Sequence, residues 1–198
     1  MRWLVAMSVA VFALLGCTSA PKRTVASVVP QTQIPVSWSF EGRLAVSNGK
    51  DGGSGHIRWE QDGEFFTISL RAPISGQSWQ LSGDGSHARL EGVKPYPVLG
   101  TSARELLRRE LGWELPVGEM RTWLFGRGFG AQAELRLAAD DTLAEVNDSG
   151  WNITYRNWKE INSSLVPGRI AARKSPNQVR LAIQSWQLEA SGVDGGEQ

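Results

Sequence analysis

Residues 38–47 read Trp38-Ser39-Phe40-Glu41-Gly42-Arg43-Leu44-Ala45-Val46-Ser47. Successive side chains of a strand point to opposite faces, so Trp38, Phe40, Leu44 and Val46 fall on one side and Ser39, Glu41, Arg43 and Ser47 on the other. This is a half-buried strand, and the same pattern recurs downstream. After the turn-forming run Asn48-Gly49-Lys50-Asp51-Gly52-Gly53, Ile57 and Trp59 alternate with His56, Arg58 and Glu60, and Asp62-Gly63 closes a second hairpin. Phe66, Ile68 and Leu70 share one face of a third strand, Trp79 and Leu81 of a fourth, Ala88 and Leu90 of a fifth. Antiparallel strands with a single apolar face must roll that face around a common interior or cover it with helices.

A cover follows in the chain. Ser102-Ala103-Arg104-Glu105 fits a capping box, and Ala103, Leu106, Leu107 and Leu111 recur at helical spacing. A second short helix is predicted from Pro116 to Gly126, presenting Val117, Met120, Trp123 and Leu124. Alternation returns at Ala133-Leu135-Leu137, at Trp151-Ile153-Tyr155 after the turn Asp148-Ser149-Gly150, and at Val179-Leu181-Ile183. The predicted class is mainly β with α, with one domain over residues 37–188 and a disordered tail over 189–198.

Upstream, Arg2 precedes an apolar run from Trp3 to Leu15 that ends Leu14-Leu15-Gly16-Cys17, with the only cysteine of the chain. A positive charge, a short apolar core and small residues make an export signal, too short to span a bilayer stably. Its last four residues resemble the bacterial lipoprotein signal, which implies removal of residues 1–16 and acylation of Cys17. An ordinary signal cut at a later small residue such as Ala20 is the alternative. A lone cysteine in an exported chain has no internal disulfide partner, and acylation gives it a role. Thr18, where the enterobacterial pattern uses aspartate for inner-membrane retention, implies the outer membrane. Residues 17–36 contain Pro21, Pro30 and Pro35 among small and polar residues and read as a flexible tether.

The chain of 198 residues has a net charge of +1, which includes Arg2 of the leader. That balance gives no support to a nucleic-acid partner, nor to a module for lipopolysaccharide or phospholipid with a basic mouth. Nine tryptophans argue for sizeable apolar interior surface. The two histidines, His56 and His87, lie on the polar sides of their strands. There is no metal-spaced Cys/His set, phosphate loop or Gly-x-Ser-x-Gly elbow. Asp140-Asp141 reads as solvated turn charge. No enzyme, cofactor or metal is expected.

The order of a cysteine-ended leader, a proline-bearing tether, one-sided strands, a helical interruption and more strands resembles the LolB family of outer-membrane lipoprotein receptors. Three landmarks carry the likeness: Leu70-Arg71-Ala72-Pro73-Ile74-Ser75-Gly76, Met120-Arg121-Thr122-Trp123-Leu124-Phe125-Gly126, and Trp151-Asn152-Ile153-Thr154-Tyr155. The resemblance implies an incomplete antiparallel β-barrel closed by helices around an apolar acyl-chain cavity. It further implies a monomer that takes client lipoproteins from the periplasmic carrier LolA and inserts them into the outer membrane. The strand-face lining would be Trp38, Phe40, Leu44, Ile57, Trp59, Phe66, Ile68, Leu70, Trp79 and Leu81. Leu106, Leu107 and Trp123 would line the lid. For each residue alone, plain core packing is the simpler reading, because a dry core and an open cavity want the same residue types. A scaffold lipoprotein with a solid core is the alternative function. The family also carries an apolar loop-tip residue, usually leucine after proline, that assists membrane insertion. Pro73-Ile74 matches it, with isoleucine for leucine and Ser75 added before Gly76.

Overall fold

Alternation becomes architecture in β1 (Ser37–Ser47), which buries Trp38, Phe40, Leu44 and Val46 and exposes Glu41 and Arg43. The computed structural model describes residues 34–73, 76–139, 142–162 and 164–189. The leader, Cys17, most of the tether, Ile74, Asp140-Asp141 and nearly all of the tail lie outside the described residues.

From β1 the chain steps outward by hairpins through β2 (Gly52–Asp62), β3 (Phe65–Arg71), β4 (Ser78–Gly83), β5 (Ala88–Glu91) and β6 (Val98–Gly100). It crosses through α1 (Ala103–Leu111) and α2 (Val117–Trp123), then re-enters at the far edge with β7 (Glu134–Leu137). β8 (Leu143–Asp148), β9 (Trp151–Ile161) and β10 (Ser164–Lys174) lead back to β11 (Asn177–Leu188), which pairs with β1. The result is one antiparallel sheet of eleven strands, ordered β6-β5-β4-β3-β2-β1-β11-β10-β9-β8-β7, with β6 and β7 as its two edges. A sheet this wide curls under its own twist, and its apolar face becomes the concave interior.

The bend is built into the middle of the sheet. The β1–β11 register shifts at Glu41/Gly42, and a Cβ on Gly42 would sit 2.4 Å from the carbonyl oxygen of Ala182. Only glycine admits that approach. α1 lies over β4, β5 and β6 and buries Ala103, Leu106 and Leu107 against them. Its N-cap Ser102 Oγ accepts from the Glu105 amide at 3.2 Å, and Gly112 ends it in the left-handed region at φ 69°. α2 follows Pro116 and buries Val117, Met120 and Trp123. Gly126 turns the chain out of it at φ 69°, with no room for a Cβ beside Leu143 and Trp158.

Three strands escape the period-two reading. β6 spans only Val98–Gly100. β8 spaces its buried apolar residues unevenly, at Leu143 and Val146, and pairs with β7 through a register shift at Arg136/Leu137. β10 contains Pro167-Gly168, ordinarily a turn signal; here Pro167 is buried, and Gly168 approaches Asn157, itself at φ 59°.

Candidate functional site

The concave face is aromatic at its centre. Trp38 lies 5.6 Å from Trp59, 5.4 Å from Phe125 and 6.0 Å from Trp186 between ring centroids, and Phe40 lies 5.2 Å from Trp186. Strand positions supply all of these but Phe125, which follows α2 and brings the helical cover onto the cluster. Trp38, Phe40, Trp59, Leu81, Leu106, Leu107 and Trp123 are fully buried; Leu44, Ile57, Ile68 and Leu70 are buried. Phe66 and Trp79 are half-buried, the latter 5.8 Å from Trp113. All these predicted lining residues are packed against one another in a single apolar cluster.

Among the described residues, two donors inside that cluster have no partner. Trp38 Nε1 and the Tyr155 hydroxyl are buried without a hydrogen bond. Burial, with the nearby Asp148 charge adding to it, pushes the Tyr155 phenol far above its ordinary value, so it stays protonated. An unmatched buried donor costs free energy, and a ligand acceptor would remove that cost.

The interior reaches the surface at one end of the cover. A crevice of about 440 Å³ runs between the β2–β3 end of the sheet and the helices, with Trp59, Phe66, Ala103, Val117 and Phe129 as its apolar walls. Phe129, 61% exposed, stands at this opening. Charged pairs rim the opening: Arg121 Nη1 meets Glu64 Oε1 at 3.3 Å, and Arg104 pairs with Glu119. The first pair ties α2 to the β2–β3 turn, the second ties α1 to α2. Such half-exposed pairs contribute little to stability and part readily.

The other side of α2 is held by Asp148. Its carboxylate accepts from Trp123 Nε1 at 2.9 Å, from the amides of Phe129 at 2.6 Å and Gly130 at 3.2 Å, and from Ser149 Oγ at 2.9 Å. Burial opposes its ionisation, but these four donors outweigh it and hold the carboxyl below its ordinary range. Asp148 precedes the turn Ser149-Gly150, both with positive φ, so a hairpin geometry delivers the carboxylate to the helix.

Sequence reading placed Asp148 in a turn and missed this role. It also missed Trp186 and Phe125. The Trp186 signal is interrupted by the bulge opposite Glu41/Gly42, which shifts the buried positions from Ile183 to Trp186 by three residues. Pro73 is exposed, in a loop closed by the Ala72 amide donating to Gln77 O at 2.8 Å, with Gly76 at φ 67°.

A one-sided sheet, curled over an aromatic interior and capped by two short helices, matches a known family model across its length. The model described as "Outer membrane lipoprotein LolB" covers residues 36–186. The chain belongs to the LolB family. An outer-membrane lipoprotein LolB from Xanthomonas campestris is 33% identical over 211 residues, covering 94% of this chain and 97% of that protein. One from Xylella fastidiosa is 35% identical over 192 residues, covering 88% of each. Among solved structures, a LolA superfamily protein from Nitrosomonas europaea aligns with 82% of this chain and 88% of its own, at 14% identity and a TM-score of 0.48. The matched LolB region begins just before β1 and ends within β11, so it takes in both helices and all of the sheet but the last residues of β11.

Proposed function

We propose that this LolB-family chain is an outer-membrane-anchored receptor that accepts lipoproteins from the periplasmic carrier LolA and inserts them into the outer membrane. The observation that carries the reading is the aromatic concave face, reached through a crevice of about 440 Å³ beneath a cover held by separable ion pairs. Acyl chains enter there by displacing α1 and α2, and each methylene transferred to an apolar surface gains roughly 0.8 kcal/mol. The Trp38 and Tyr155 donors receive ester or amide carbonyls at the acylated end of the client. Handover then runs downhill from carrier to receptor to membrane, where each 1.4 kcal/mol of affinity shifts the partition about tenfold.

Cys17 carries the acyl anchor after removal of residues 1–16, residues 17–36 are the tether, and residues 37–188 form the receptor domain. Pro73-Ile74, between β3 and β4 in the chain, enters the bilayer during delivery.

The tight packing of the interior favours one rival, the scaffold lipoprotein with a solid core. A synthetic diacyl lipopeptide with brominated acyl chains separates the two. The receptor reading predicts saturable quenching of the interior tryptophans, because bromine reaches Trp38, Trp59 and Trp186. Fluorescence that stays constant while the lipopeptide is titrated supports the scaffold.

A further inference from the structure

The convex face of the sheet carries a feature that the near-zero net charge conceals. Read across the strands at one level, the outward residues are Arg156 on β9, Arg169 on β10, Ala182 on β11, Arg43 on β1, His56 on β2 and Arg71 on β3. Arg173 and Arg180 stand closer to the sheet end that bears the β3–β4 loop. Five of these arginines, Arg43, Arg156, Arg169, Arg173 and Arg180, wall a groove of about 640 Å³. Its floor is small, with Ala45, Ala171 and Ala182 leaving a trough between the guanidinium groups.

None of the five has a carboxylate partner among the described residues. Arg58, Arg89, Arg104, Arg109, Arg121 and Arg136 each have at least one. Among the described residues, only Arg180 of the groove set makes a side-chain hydrogen bond, a long one of 3.4 Å to Gln178 Oε1. The acidic groups nearest in the ladder are already engaged, Glu41 by Arg58 and Glu145 by Arg136. Like charges directly opposite in neighbouring strands, as in Arg156 and Arg169, are destabilising unless an anion lies between them. Guanidinium groups match the paired oxygens of a phosphodiester.

Pro73 lines the same groove, so the groove opens beside the β3–β4 loop. We propose that this arginine groove binds the phosphodiester headgroups of anionic phospholipid, orienting the receptor on the membrane so that the β3–β4 loop meets the bilayer. The orientation rests on the loop's proposed role in delivery; the headgroup binding does not.

Residues 18–198 retain every described element and serve for the test, with circular dichroism to verify folding. Co-sedimentation is measured with phosphatidylethanolamine vesicles containing, or lacking, about a quarter phosphatidylglycerol, at low salt where such attraction is unscreened. The expected result is binding to the anionic vesicles alone, weakened by salt. Each arginine is worth roughly fivefold at a membrane surface, so Arg43→Glu with Arg169→Glu lowers binding more than tenfold. Arg108→Glu with Arg127→Glu, cations outside the groove, leaves binding within about threefold. Millimolar inorganic phosphate that abolishes vesicle binding at constant ionic strength would mark a free-phosphate site and overturn the headgroup assignment. Equal loss in both double variants, or none in the groove variant, overturns the proposal. So does a groove variant that keeps its vesicle binding but loses binding to the purified periplasmic carrier protein. If acyl transfer fails while groove-dependent vesicle binding persists, the receptor reading falls and the groove stands.

Discussion

Asp148 ties α2 and the segment after it to the β8–β9 hairpin, since one carboxylate accepts from an indole, two amides and a hydroxyl. Asp148→Ala strands these donors in a buried site and is expected to cost about 3–5 kcal/mol in chemical denaturation. Asp148→Asn keeps one acceptor oxygen and loses the charge, at about half that cost. Because the folded chain holds this carboxyl below its ordinary 3.8, its contribution is complete above that value. It is lost as pH falls through the folded-state value. Wild type should therefore lose stability on acidification below about pH 4 more steeply than Asp148→Asn does; parallel curves would remove Asp148 from the account. Between β3 and β4, Ile74→Glu should leave folding and acyl-chain binding intact while delivery into vesicles falls. Unchanged delivery by that variant would exclude Ile74 from insertion. Cys17→Ala in an exported chain should release the protein from the membrane fraction.

The two helices were legible because their end signals are local: Ser102 and Glu105 begin α1, Gly112 and Gly126 stop the chain where φ turns positive. The strands of the first half were equally legible, since hairpins preserve alternation from β1 to β5. β8 and β10 were not, because a register shift and a Pro-Gly pair break the period locally while partner strands restore the pairing. The site divides the same way. Alternation finds an inward residue such as Trp59, but only tertiary geometry shows that Phe125 and Trp186 meet Trp38. The convex arginines were visible singly in sequence, and their alignment into one row required the register. At this scale the cover is tested by Arg104→Gln with Arg121→Gln, which removes both rim pairs. Stability should change by no more than about 1 kcal/mol, since the pairs are half-exposed. Acyl-probe entry, followed by tryptophan quenching, should become faster.

At the scale of the molecule, an open eleven-strand sheet has an inside and an outside with different chemistry. The inside is an aromatic core beneath a cover tied by Asp148 and two rim pairs, which in the proposed function exchanges packed side chains for acyl chains. The outside is a basic groove bordered by Pro73. In the proposed reading, such a division serves apolar cargo on one face and a membrane surface on the other. The most direct test of the central claim is transfer of a radiolabelled lipoprotein from its purified periplasmic carrier to residues 18–198, followed by co-purification. The account predicts that the label moves to this chain without any nucleotide. Label that stays on the carrier, with this chain folded and another active receptor accepting it, would contradict the account.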